Sequence, residues 1–80
     1  MVLNFSELLV SMMDERGETA YRLAKELQVS QSTVANWTGG ISIPQKLCIK
    51  ELAEHYGIER SELEAACERQ RREQANATGT

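Results

Sequence analysis

The side chains in this chain that are best suited to molecular recognition are uncharged amides and hydroxyls that follow Ser30. Gln31, Ser32, Thr33 and Asn36 are spaced so that they share the outer face of a short helix. Exposed helix faces usually carry Lys and Glu, whereas amides and hydroxyls form hydrogen bonds with the edges of base pairs in the major groove of DNA. The pattern therefore favours base recognition over catalysis.

Two short amphipathic helices and a tight turn are predicted to position this polar face. Apolar residues recur at helical spacing in each of them, first Leu23, Ala24 and Leu27, then Val34 and Trp37. Ser30 can cap the second helix by accepting a backbone N–H bond, and two glycines end it. The segment from about residue 20 to residue 38 is therefore a helix-turn-helix pattern.

Three further helices are predicted around this pair. Asn4 and Glu7 form a capping box for a first helix, whose buried stripe comprises Phe5, Leu8, Leu9 and Met12, with Met13 beside the stripe on the surface or in a contact. A fourth helix opens at Ser42, Pro44 and Gln45, closes at Gly57, and turns inward Ile49, Leu52, Ala53 and Tyr56. A fifth runs from Ser61, capped with Glu64, to about Gln74.

These residues resemble the helix-turn-helix domain of the Cro/CI-type repressors of bacteria and phages, including small prophage proteins. The resemblance covers roughly residues 5–66 and is carried by an ordered set: Leu23-Ala24, Leu27, Val29-Ser30, Ser32-Thr33-Val34, Trp37, Gly40, Pro44, Leu52-Ala53 and Tyr56-Gly57-Ile58. It implies a compact all-α, five-helix, lambda-repressor-like fold. We expect one domain over residues 1–75 and a disordered tail over residues 76–80.

Two positions depart from the family pattern. Gln28 stands at the turn where the family usually has glycine, and a left-handed conformation there costs roughly 1 kcal/mol. Ala20 stands where the family often has a glutamine that contacts phosphate. One expected DNA contact is therefore missing, and the turn is expected to be less stable or differently shaped.

The N-terminal end of the second motif helix enters the major groove in this fold, and the resemblance implies base contacts for Gln31 and Ser32. The other expected DNA contacts follow from residue type and position. The expected base contacts are Gln31, Ser32, Thr33 and Asn36; Thr33 could instead pack inward, and Asn36 could instead hold a phosphate. The expected phosphate contacts are Thr19, Tyr21, Arg22, Thr38, Ser42 and Lys46. Arg22 is preferred to Lys25, which lies on another side of its helix.

Charge is distributed unevenly along the chain. The formal net charge of the 80 residues is −3, but residues 19–50 carry four cations against Glu26 alone, a local charge of +3. Local charge governs attraction to phosphate within a Debye length of roughly 8 Å. The acidic remainder argues against a nonspecific DNA-coating protein and favours dependence on sequence recognition.

Apolar residues outside the predicted inner faces suggest a homodimer, because two recognition helices related by a two-fold axis would bind a palindrome. The predicted interface lies on the fourth and fifth helices and comprises Leu47, Leu63, Ala66, Cys67 and Gln70. The polar segment 68–74 could pair across it. In the alternative, Leu63 and Ala66 complete the core of a single chain.

The sequence therefore predicts a regulator that binds a palindromic operator in double-stranded DNA and represses transcription by covering a promoter. One alternative is an antitoxin-like DNA binder whose C-terminal helix binds a partner protein, and another is a protein-interaction adaptor on the same fold. No catalytic constellation is present, so no enzyme activity and no cofactor are expected. Cys48 and Cys67 match no metal-ligand spacing. No apolar run approaches the roughly 20 residues of a membrane span, so a cytoplasmic location is expected.

Overall fold

The fold was obtained as a computed structural model that describes residues 3–78. This part of the chain is all-helical, as predicted, and forms five helices: α1 (Phe5–Arg16), α2 (Ala20–Leu27), α3 (Gln31–Thr38), α4 (Lys46–Tyr56) and α5 (Arg60–Thr78). The capping box of Asn4 and Glu7 is present at the start of α1. Helices α1 and α4 end at Gly17 and Gly57, both left-handed, which is the conformation that glycine adopts without a steric penalty.

The turn between α2 and α3 follows the predicted pattern. Gln28 ends α2 in the left-handed conformation, with φ of 58°. The amide of Val29 then donates to the carbonyl oxygen of Ala24 at 3.0 Å, which satisfies one of the open carbonyls of α2. Ser30 begins α3 by accepting a hydrogen bond from the amide of Thr33. Gln28 therefore adopts the left-handed conformation although it carries a side chain.

One face of each helix packs into the hydrophobic core. Phe5 of α1 and Trp37 of α3 meet edge to face, with ring centroids 6.3 Å apart, a favourable geometry for aromatic pairs. All four predicted inner-face residues of α4 are buried. Met13 is buried too, because α1 contacts both α3 and α5 and is therefore covered over a wider arc than a single stripe. The largest fully buried side chains are Phe5, Leu9, Leu23, Leu52, Leu63 and Val34.

Two helix boundaries differ from the prediction. Helix α4 begins only at Lys46, after Gln45, whose side chain forms no capping bond. Helix α5 begins at Arg60, one residue before the predicted cap Ser61, and continues past Gln74 to Thr78. Residues 76–78 are therefore helical, whereas the sequence predicted a disordered tail there; residues 79 and 80 lie outside the described part. No helix within residues 3–78 is long and apolar enough to cross a membrane.

Most of the predicted dimer interface lies inside a single chain. Leu63, Ala66, Cys67 and Gln70 are each at most 2% exposed, because α5 packs its inner face against α1 and α4. The prediction that they contact a second copy is therefore corrected, and Leu63 and Ala66 instead complete the core. Burial raises the pKa of the Cys67 thiol to about 11, which disfavours the reactive thiolate at neutral pH. Of the predicted interface, only Leu47 is exposed, at 68%.

Candidate nucleic-acid interface

Helix α3 has a fully buried face and a fully uncharged exposed face. Val34 and Trp37 are buried against the core. The opposite side consists of four exposed residues, Gln31, Ser32, Ala35 and Asn36. Among the side-chain hydrogen bonds within residues 3–78, none involves the three polar members of this set. Their amides and hydroxyl are therefore open to an outside partner.

Ala35 was not predicted to be part of this face. Its position, four residues after Gln31 and one before Asn36, places it at the centre of the exposed surface. Helical spacing alone could have identified it, but an alanine carries no hydrogen-bonding group to draw attention. A methyl side chain there lets another surface approach the helix closely, and alanine is one of the side chains that contact the methyl group of thymine.

Thr33 lies at the inner edge of α3 and not at the centre of its exposed face. Its side chain is half-buried, and its Oγ1 atom lies 2.8 Å from Oγ of Ser30. The two hydroxyls thus belong to the cap that starts the helix. This placement corresponds to the inward alternative for Thr33, and it leaves Gln31, Ser32 and Asn36 as the polar groups directed outward.

The loop after α3 is fixed to the helix by its own backbone. The carbonyl oxygen of Asn36 accepts hydrogen bonds from the amides of Ile41 and Ser42, at 2.9 and 3.3 Å. Ile41 is 73% exposed on this loop. Ser42 is half-buried. The segment that flanks the exposed face of α3 therefore has a defined position relative to that face.

The start of α2 presents two of the predicted phosphate contacts on its surface. Oγ1 of Thr19 accepts a hydrogen bond from the amide of Arg22 at 3.2 Å, which leaves the hydroxyl hydrogen free to be donated elsewhere. Tyr21 is 58% exposed. Nζ of Lys25 lies 5.9 Å from the centre of its ring. Hydroxyl donors and an ammonium group are thus close together along one flank of α2.

Arg22 lies on the other flank of α2. It is exposed and lines a shallow pocket with Arg16, Glu18, Glu26 and His55. Two carboxylates beside the guanidinium group weaken its attraction to a phosphate. Lys25, which lies with Tyr21 and away from that pocket, is therefore the better-placed cation on this helix, although the sequence favoured Arg22.

The remaining predicted phosphate contacts follow α3. The hydroxyl of Thr38 donates to the carbonyl oxygen of Ala35 at 3.1 Å, so its hydrogen is already used inside the helix. Lys46 is exposed in the first turn of α4. Gln45 provides no side-chain acceptor there, so the first amides of α4 lack the cap that α1, α2 and α3 possess. Uncapped amides and an ammonium group together suit an anion.

A cluster at the α1–α2 corner fixes the start of α2. The carboxylate of Glu18 accepts a hydrogen bond from the hydroxyl of Tyr56 and lies 2.8 Å from Nε2 of His55. Burial raises the pKa of Glu18, but these two hydrogen bonds, with the charges of His55 and Arg16, outweigh burial and hold the pKa below its ordinary value. Because Thr19 follows directly, the ionised carboxylate anchors the N-terminus of α2 to α4.

The chain matches no protein-family model, no curated protein and no solved structure. The resemblance to Cro/CI-type repressors therefore remains an expectation from the residues themselves.

Proposed function

We propose that this protein is a sequence-specific DNA-binding regulator of transcription, of the Cro/CI-like type that the sequence predicts. The observation that carries the proposal is the uncharged exposed face of α3, formed by Gln31, Ser32, Ala35 and Asn36. Glutamine and asparagine can each form two hydrogen bonds with adenine, and hydroxyls can bond to several base edges. Helix α3 is then the recognition helix, and its N-terminal residues enter the major groove.

Groups on either side of the recognition helix support this orientation. Thr19 caps α2, Tyr21 and Lys25 lie on that helix, and Lys46 lies at the start of α4. Contacts of this kind position a protein on the duplex without selecting sequence. Residues 19–50 carry a net charge of +3 although the whole chain is acidic, and of these cations Lys25 and Lys46 belong to the proposed phosphate contacts.

A homodimer on a palindromic operator is part of the proposal. A single helix of eight residues contacts few base pairs, whereas two helices one turn of DNA apart, about 34 Å, bind a longer and more specific site. Leu47 and Ile41 are exposed apolar residues that a second copy could cover. Such a dimer would repress transcription by occluding a promoter.

The proposal is tested by selecting bound sequences from a random duplex pool with the wild-type protein and with Gln31→Ala. Wild type is expected to enrich a palindrome. Gln31→Ala is expected to lose preference at one position in each half-site, worth about 1–3 kcal/mol, while weak nonspecific binding persists. An unchanged motif would show that Gln31 does not contact a base.

Lys46→Ala is the matched control, because it removes a proposed phosphate contact and no base contact. Its affinity should fall to a similar extent for all sequences, with the enriched motif unchanged. The slope of log affinity against log salt concentration should decrease in magnitude by about two for the dimer, about one for each Lys46 removed. A change of motif in Lys46→Ala would contradict the division between base and phosphate contacts.

A further inference from the structure

The C-terminal half of α5 is almost entirely polar, and its side chains contact other parts of the same chain. Arg69 donates to the carbonyl oxygen of Leu3, and Glu73 accepts from the side-chain amide of Asn4 at 2.8 Å. The sequence suggested that this segment pairs across a dimer. In the structure the side chains of Arg69, Glu73 and Gln74 instead bond to the start of α1 and to the loop after α3.

One chain of hydrogen bonds from α5 ends at the last carbonyl of α3. Oε1 of Gln70 accepts from the amide of Ser6 at 2.8 Å, and the hydroxyl of Ser6 donates to the carbonyl oxygen of Thr38 at 2.7 Å. Gln70 is 2% exposed, and its Nε2 finds no partner within the described residues. Burial of the unpaired Nε2 donor lowers the stability of the fold. The hydrogen bond between Oε1 and the amide of Ser6 is therefore the stabilising contact of this side chain.

A second connection reaches the loop itself. Nε2 of Gln74 donates to the carbonyl oxygen of Gly40 at 2.8 Å. Gly40 has φ of +74°, and a Cβ atom there would lie 3.8 Å from Oγ of Ser6. The next two residues donate their amides to Asn36 of α3. The loop is thus held by α3 through the carbonyl oxygen of Asn36 and by α5 at Gly40, and α1 holds Thr38, the last residue of α3.

We infer that Gln74 and Ser6 are positioning residues for the recognition helix and the loop that follows it. This inference rests on the proposed function. A loop that is ordered before binding loses less conformational freedom when DNA is bound, and a fixed end of α3 keeps its exposed face at one angle. Helix α5 therefore contributes to operator affinity without touching DNA.

The test uses the full chain with Gln74→Met, which keeps length and neutrality but removes the donor. Ser61→Met is the matched control, because Ser61 is exposed near the other end of the same helix. Hydrogen exchange on the free protein should quicken at the amides of Ile41 and Ser42 in Gln74→Met and stay unchanged in Ser61→Met. Exchange at the buried core, such as Leu63, should be equal in both.

Binding to the selected operator supplies the functional readout. Operator affinity is expected to fall between about twofold and tenfold in Gln74→Met, with affinity for unrelated duplex unchanged. Ser6→Ala, which acts from a different helix, should give the same two effects. Unchanged loop exchange, or faster exchange with unchanged operator affinity, would overturn the inference.

Failure of the proposed function is distinguished from failure of the inference by the behaviour of the wild-type protein toward DNA. If wild type bound no duplex, the DNA-binding proposal and the role of Gln74 in it would fall together. Loop exchange in the free protein would then still decide whether α5 holds the loop.

Discussion

Replacing Gln28 by glycine is expected to stabilise the protein. Gln28 has φ of 58°, and the left-handed conformation costs an L-residue with a side chain roughly 1–2 kcal/mol. Glycine avoids this cost but gains freedom in the unfolded chain, which offsets about 0.5–1 kcal/mol. The net gain lies between about 0 and 1.5 kcal/mol, with a midpoint of about 0.75 kcal/mol. For a domain of this size the midpoint corresponds to a rise in Tm of about 3–6 °C.

The matched control is Glu26→Gly, two residues earlier on the exposed surface of α2. Glycine in a helix lowers stability by about 0.5–1 kcal/mol, so the two substitutions should shift Tm in opposite directions. Thermal and urea unfolding followed by circular dichroism would measure both. Gln28→Asn should fall between wild type and Gln28→Gly, since asparagine tolerates this conformation. A lower Tm for Gln28→Gly would refute the argument that the turn is strained.

Glu18→Gln is expected to lower the free energy of unfolding at pH 7 by about 1 kcal/mol, because an ionised acceptor for Tyr56 and His55 is lost. Since the folded pKa of Glu18 lies below its ordinary value of 4.5, the stabilisation is present above that value and disappears as pH falls through the folded pKa. The gap between variant and wild type in urea unfolding should therefore close in acid, and a constant gap would contradict the assignment. Leu63→Glu should unfold the chain, because it buries an unpaired charge, whereas Leu47→Glu should stay folded by circular dichroism. A folded Leu63→Glu would place Leu63 outside the core.

Features set by local physics were predictable from the sequence. The capping box at Asn4 follows from two residue types at fixed spacing, and the inner face of α4 follows from apolar periodicity. The left-handed conformation of Gln28 was expected from the resemblance, because the Cro/CI-type repressors usually have glycine at this position of the turn. These features depend on residues within one or two helical turns, and the structure confirms them.

Features set by distant contacts were not predictable. Leu63 was known to be apolar, but periodicity does not say whether its own chain or a second copy covers it. The contacts of Gln70 with Ser6 and of Gln74 with Gly40 join residues 64 and 34 positions apart, and neither has a local signal. The surface position of Arg22 was predicted correctly. The carboxylates beside it were not, because the pocket they share with Arg22 also includes a residue of α4 that is distant in sequence.

The residues of the candidate site also include some whose positions were predictable from local spacing and one whose position was not. The polar exposed face of α3 was predicted from residue type and spacing, and Gln31, Ser32 and Asn36 are exposed as expected. The inward position of Thr33 depends on a hydroxyl pair with Ser30, which spacing does not reveal. Binding of these residues to DNA stays a prediction.

Selection of bound duplexes from a random pool at physiological salt decides whether α3 is a recognition helix. The wild-type protein is expected to enrich one palindromic sequence, with half-sites separated by about one turn of DNA. The separation would measure the distance between recognition helices in the dimer. A folded protein that enriched no sequence would contradict the assignment of α3 as a recognition helix.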